Sequence, residues 1–262
     1  VRDISGNIVF PGFTAPKLLW VKNNEPDIFK QIKTVVLPAS YLNTWLIGTP
    51  VADMSDSAGT SWLDVKLRKW SEYLVVSSDM HLEQMPKLVE GNQIAGQIRT
   101  ELASELGFPK DVIVVGGAGD NAAAACGVGA IKEGEGLVSL GTSGVLLVSR
   151  DQCKPYPDAA VHTFCHAIPE KWYQMGVILS ATDSLNWLSK ISGKTAAELD
   201  NLLPNEPTGP ANERFFPYLS GERTPLNDAH IRAGFSGLGQ TSDLTKLTQC
   251  VMEGVSFALR DC

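Results

Sequence analysis

No run of about 18 apolar residues occurs anywhere in the 262-residue chain, so nothing in it reads as a membrane-spanning helix. It has no Lys/Arg cluster either. With 22 basic against 29 acidic residues and a formal charge of −7, it offers no surface for nucleic acid or for an anionic membrane. Cysteine is sparse and odd in number. Cys126, Cys153, Cys165, Cys250 and Cys262 are dispersed as reduced thiols would be, which points to a cytoplasmic protein rather than a disulfide scaffold. There is no internal repeat, no low-complexity segment and no G-x-x-x-x-G-K-[ST] phosphate loop. An initiating methionine and a signal peptide are also missing. The chain opens on Val1 and closes on Cys262 inside a helical pattern, which reads as a piece of something longer. What it does have is 44% hydrophobic residues, ample for one large packed core or two smaller ones.

The organising stretch is Val112–Gly129, VIVVGGAGDNAAAACGVG. Four β-branched residues predict a strand buried on both faces, as at the centre of an α/β sheet. The glycines let the backbone turn sharply, and Asp120 is placed to cap an alanine-rich helix. Open α/β sheets build their sites at this end of a strand. The next segment, GLVSLGTSGVLLVS, is strand, turn, strand, with Gly141, Thr142, Ser143 and Gly144 at the bend. Taken singly, Asp120 reads equally well as a helix cap, and Gly141–Gly144 as an ordinary hairpin turn. Together they put a carboxylate close in sequence to a turn whose N–H groups and hydroxyls suit phosphate oxygens. Phosphoryl transfer to an alcohol needs such a pair.

Along the rest of the chain, 12–24 predicts a helix carrying Leu18, Leu19 and Trp20, and Pro38 opens another that Gly48 ends. Residues 52–65, with Asp53, Asp56 and Asp64, read as a solvated, turn-rich loop full of capping residues. An acidic loop touching a sugar or metal is the alternative there. Residues 172–179 read as a strand, followed by a helix with Leu185, Leu188 and Ile191 on one face. Residues 204–212 read as a loop, and a capped helix begins at Ser242. The KEGEG stretch at 132–136 is the one linker-like point, so a boundary between two sheet-bearing units, with a cleft between them, is expected there.

Rival motifs fail on context. Gly117–Ala122 matches G-x-G-x-x-A, but no second parallel strand ending in an acid follows to hold a ribose. His162 and His166 lie on an alternating, strand-like segment, where residues four apart are separated by roughly 13 Å, too far to share a zinc ion. They are expected in a core or loop. The G-x-S-G runs at Gly141 and Gly234 fall one residue short of a nucleophile elbow.

The motifs GGAGDNAAAACGVG and LVSLGTSGVLLVS resemble the FGGY carbohydrate kinases. GFTAPKLLW, DMSDSAGTSWLDV, VHTFCHA, PYLSGERTP and GFSGLGQTS extend the resemblance, in the family's order, over essentially the whole chain. Residues 12–24 fit that family's first signature, T-x-x-K-[aliphatic]-x-W. The second signature, around 233–253, fits less closely, with Lys246 in place of an acid or amide and Cys250 in place of Ala or Ser. The resemblance implies an α/β fold of two actin-like (ribonuclease-H-like) domains with mixed sheets, both incomplete here. Residues 1–134 would be the C-terminal part of the sugar-binding domain, and 135–262 the N-terminal part of the nucleotide-binding domain. It further implies ATP and Mg²⁺ as cofactors and a small sugar as acceptor. The pattern is most like that of members acting on D-xylulose. Gluconate, ribulose or glycerol as substrate, or a non-catalytic actin-like nucleotide binder, are the alternatives. Asp120 would be the general base, Asn121 a sugar contact, and Gly141, Thr142, Ser143 and Gly144 a phosphate loop with Thr142 reaching the terminal phosphate. Asn186 would lie beside the nucleotide. No metal ligand is assigned, and a homodimer is compatible with the family. The family's D-x-G-T-[ST] and G-G-[GA]-x-x-S segments are absent from 1–262, so this chain alone is expected to be inactive.

Overall fold

The computed structural model describes residues 1–206 and 209–262, and the chain divides into two compact units. The first holds Val1–Gly136, Val148–Pro157 and His162–Gln174; the second holds Leu137–Leu147, Asp158–Val161 and Met175–Cys262. One sheet has four strands in the order Gly136–Leu140, Gly144–Arg150, Trp172–Ile178, His162–Cys165. Its first two strands are the expected hairpin. The loop expected at 204–212 includes Pro207 and Thr208, which lie outside the described residues.

In the first unit, helix Thr14–Asn24 occupies the expected segment. Pro38 opens Pro38–Ile47, and Gly48 ends it in the left-handed conformation at φ 82°. This helix packs on Val51–Asp53 and on the antiparallel pair Ile94–Gln97 and Ile113–Val115. Val51–Asp53 pairs in parallel with Lys87–Val89, Val51 opposite Lys87 and Asp53 opposite Val89. The core gathers around Trp62, with Leu74, Val75, Met80 and Met85, and the indole N–H donates to Ser78 Oγ at 2.7 Å. Donating that proton removes the main cost of burying the ring's polar edge. His162 lies 5.3 Å, centroid to centroid, from both Phe10 and Phe164, so it is a buried member of an aromatic cluster. His166 is buried as well, its ring edge-on to Tyr173. Both histidines are thus core residues, as their strand-like setting predicted.

Two expectations for the first unit need correction. The run Ile113–Val115 is a strand, but not a doubly buried one: it pairs with Ile94–Gln97 alone among the described residues, and Ile113 and Val115 are 52% and 43% exposed. β-Branched residues report extended backbone; how many faces are covered depends on neighbours that the run itself does not encode. Residues 52–65 are not solvated. Asp53, Ser55, Ser57, Thr60, Trp62 and Leu63 are all buried. The capping residues are present, but Asp53 caps an internal helix, Met54–Ser57, accepting from the Ser55 and Asp56 amides.

The second unit packs helix Thr182–Ser192 and the long helix Leu244–Asp261 around Leu188, Leu199, Phe215, Cys250 and Val251. Trp187 stacks on Phe215 at 5.8 Å, and Phe235 lies 4.8 Å from Phe215. Those two phenylalanines face each other across the antiparallel pair Arg214–Phe216 and Gly234–Ser236. The long helix, expected from Ser242, begins at Leu244, and Asp243 caps it, accepting from the Lys246 amide at 3.0 Å. Ile191, expected on the apolar face of its helix, is 59% exposed; Leu188 one turn earlier is buried. Near the end of a helix the apolar stripe can simply run past the surface it packs on.

Candidate active site

In the first unit, the glycine loop 116–119 is held at nearly every residue. The Gly116 and Gly117 amides donate to the Gln93 and Gly91 carbonyls, both at 3.0 Å, and the Gly119 amide donates to Ser55 Oγ at 2.9 Å. Asn43 Nδ2 donates to the Val115 and Gly116 carbonyls at 3.2 and 3.0 Å. Glycine is required twice. A Cβ on Gly116 would stand 2.4 Å from the Glu90 carbonyl oxygen, and Gly117 has φ +80°. The loop delivers the chain into helix Asp120–Val128. Gly119 is its N-cap, so Asp120 is the first helical residue rather than the cap that the sequence suggested. Its carboxylate is exposed, and Oδ1 accepts from the Asn121 amide at 2.7 Å and from Asn121 Nδ2 at 3.0 Å. Asn121 therefore fixes the rotamer of its neighbour, leaving the acid at the positive end of the helix dipole.

Two further acids of the same unit share this corner. Asp53 is 2% exposed and its Oδ1 accepts from the Ser55 amide, Ser55 Oγ and the Asp56 amide at 2.9, 2.5 and 3.0 Å. Burial raises its pKa against the opposing pull of those bonds. Asp56 is half-buried, and burial followed by the charges of Asp53 and Asp120 pushes its pKa up to about 6. The phenol of Tyr173 is fully buried and held protonated by that burial, with the charges of Asp120 and Asp56 adding to the effect. The sequence offered Asp53 and Asp56 only as the second reading of an acidic loop, and Ser55 and Tyr173 not at all. The one available signal was the D-x-S-D spacing, which also describes any short capped helix.

An acid held above its unfolded pKa contributes stability that is complete below the unfolded value of 3.8 and is lost as pH rises through about 6. Asp56→Asn is therefore expected to stabilise the chain above pH 6 and to leave it unchanged near pH 4. Solvent screening of a half-exposed group trims the gain to about 1 kcal/mol, or roughly 2–4 °C in Tm. Thermal melts of both proteins from pH 4 to 8 check it; a gain that persists at pH 4 would show that charge is not the cause.

In the second unit, Gly141, Thr142 and Ser143 form the exposed hairpin bend, and Gly144 is buried. The bend is tied to the start of helix Thr182–Ser192. The Ala181 amide donates to the Thr142 carbonyl at 2.8 Å, and both the amide and the hydroxyl of Thr182 donate to the Gly141 carbonyl at 3.0 and 2.7 Å. The Gly141 and Thr142 carbonyls thus satisfy donors at the start of that helix. Ser143 Oγ makes a long 3.4 Å contact to the Leu179 carbonyl. Asn186 lies exposed one turn further along that helix. Behind the bend, Glu222 is 3% exposed, and Oε1 accepts from the Leu179 and Arg223 amides at 3.0 and 2.7 Å. Burial raises its pKa. Glu222 belongs to the PYLSGERTP motif.

The structure therefore brings Asp120 together with Asn121 in the first unit, and Gly141–Gly144 together with the helix that carries Asn186 in the second. Among the described residues, no three histidine, cysteine or acidic side chains converge as a metal site. Among the described residues, no helix is long and apolar enough to cross a membrane.

Residues 1–127 match the N-terminal domain, and residues 136–262 the C-terminal domain, of the FGGY family of carbohydrate kinases. The chain belongs to that family, and its fold is the family's: actin-like, ribonuclease-H-like, with mixed α/β content. The xylulose kinase of Escherichia coli K12 is 44% identical over 261 residues, covering 99% of this chain and 54% of that protein. The solved xyloylose kinase of Brucella ovis is 56% identical with a TM-score of 0.98, over 99% of this chain and 54% of its own. A gluconate kinase from Lactobacillus acidophilus superposes with a TM-score of 0.91 at 29% identity, over 100% and 54%. The chain spans about half the length of the relatives it matches.

Proposed function

We propose that this chain supplies the acceptor base and a phosphate turn of a cytoplasmic, ATP-dependent sugar kinase that converts D-xylulose to D-xylulose 5-phosphate in xylose catabolism. The observation that carries the reading is Asp120, an exposed carboxylate fixed at a helix N-terminus by a loop bonded at almost every residue. In this reading Asp120 takes the proton of the sugar's terminal hydroxyl as its oxygen bonds to the γ-phosphorus of ATP. The bond from that phosphorus to the β,γ-bridging oxygen breaks, and ADP leaves with the electron pair. Asn121 holds Asp120 in place and contacts the sugar. Gly141–Gly144, with Thr142 foremost, receives the phosphates, and Asn186 lies beside the nucleotide. Residues 1–134 then belong to the sugar-binding domain and 135–262 to the nucleotide-binding domain.

Xylulose kinases among the relatives support the choice of sugar, and the gluconate kinase marks the alternative within the family. The test is ADP release, measured with the longest reading frame that carries this chain, over D-xylulose, ribulose, gluconate and glycerol. The highest kcat/KM is expected with D-xylulose. A higher value for another acceptor reassigns the substrate, and ATP binding without ADP release from any of them leaves a non-catalytic nucleotide binder.

A further inference from the structure

We propose that Ser55 is a positioning residue for Asp120: its hydroxyl fixes the backbone from which that acid leaves the glycine loop. The proposal rests on the reading of Asp120 as the base. The Gly119 amide donates to Ser55 Oγ at 2.9 Å, and the same oxygen donates its proton to Asp53 Oδ1 at 2.5 Å. A hydroxyl has one proton. With that proton committed to the Asp53 carboxylate, Ser55 can only accept from Gly119, so the bond has a single polarity. Asp53 is itself immobile: it is 2% exposed, it ends the parallel strand Val51–Asp53, and Oδ1 also takes the Ser55 and Asp56 amides. The chain of constraint thus runs from a buried strand through Asp53 and Ser55 to Gly119, one residue before the candidate base.

Gly119 needs such an anchor. As the N-cap of helix Asp120–Val128 it has no side chain to make the capping bond, and its extended backbone (φ −60°, ψ 153°) is one of many that glycine can adopt. The short helix that carries Ser55 also lies directly against it: a Cβ built on Gly119 would be 3.4–3.5 Å from the Asp56 backbone nitrogen, Cα and Cβ. Asp56 senses the charge of Asp120, which places its carboxyl in the same corner. Small displacements of a reacting group are costly; a shift of about 1 Å can lower a rate by roughly 10²-fold.

Ser55→Ala in the same reading frame is expected to lower kcat on D-xylulose by about 10–100-fold while KM for ATP stays within about twofold. In an Asp120→Asn background the same change should lower kcat by less than about twofold, because the group it positions is already gone. An equal loss in both backgrounds, or a wild-type kcat for Ser55→Ala beside an impaired Asp120→Asn, overturns the positioning role and leaves the base assignment standing. A normal Asp120→Asn removes the base, and the proposal with it. Circular dichroism establishes that each variant is folded at the assay temperature. If Ser55→Ala does not fold, amide exchange on the unaltered protein decides. Protection of the Gly119 amide by at least about 10²-fold over the unfolded rate is expected, and exchange at the unfolded rate overturns the proposal.

Discussion

Asp120→Asn is expected to reduce kcat on D-xylulose by about 10²–10⁴-fold, the usual contribution of a positioned general base. The substitution is nearly isosteric and keeps an oxygen able to accept from the Asn121 amide, which Asp120 Oδ1 now does at 2.7 Å. The side chain is exposed, so the change should stay within about 0.5 kcal/mol of wild-type stability. What asparagine cannot do is take a proton from an alcohol. Loss should therefore appear in kcat and in kcat/KM alike, with substrate KM nearly constant, the pattern of an interaction made only as the hydroxyl is deprotonated. A rise in sugar KM at unchanged kcat would mean that Asp120 only binds the acceptor. Near-normal turnover would remove the base altogether. The experiment is sharper than a change at Thr142, whose backbone and neighbours would still offer phosphate contacts after its hydroxyl is removed.

Much of the local structure could be anticipated from residue order. Pro38 and Gly48 bracket a helix because one fits a first turn and the other accepts a left-handed φ, and both act locally. The Gly141–Gly144 bend was legible for the same reason: two apolar runs around a short turn leave the chain little alternative. Asp120 stood out because glycines and then alanines isolate it. The support beneath it was not visible. Ser55 and Gly119 are separated by 64 residues, and nothing in D-M-S-D-S distinguishes a cap facing water from one bonded to a distant loop. The partial exposure of Ile113 and Val115 was equally hidden, since a β-branched run has the same appearance whether one edge or both are paired. Local chemistry could be read, whereas the long-range partners of that chemistry could not.

Gly116→Ala should be the most damaging single-methyl change in the glycine loop, lowering stability by about 3 kcal/mol and Tm by roughly 6–12 °C. The added Cβ would meet the Glu90 carbonyl oxygen at 2.4 Å and Val89 Cγ2 at 3.0 Å. The valine methyl can rotate away, but the carbonyl cannot. Val89 is buried and paired in the strand Lys87–Val89, and the Glu90 carboxylate is gripped by Arg68, Nε to Oε1 at 2.9 Å and Nη2 to Oε2 at 2.6 Å. Arg68 is in turn anchored by its bond to the Lys171 carbonyl at 2.9 Å and lies over the Trp172 ring. Relief of the clash must then come from the loop, which would break the Gly116–Gln93 and Asn43–Gly116 bonds and displace Asp120 downstream. Gly117→Ala is the internal control. Its Cβ meets nothing within 4 Å, so it bears only the cost of a left-handed residue at φ +80°, about 1–2 kcal/mol. Urea unfolding of the two variants separates the mechanisms. If Gly117→Ala proves the more destabilising, backbone strain and not contact with the Glu90 carbonyl governs the loop.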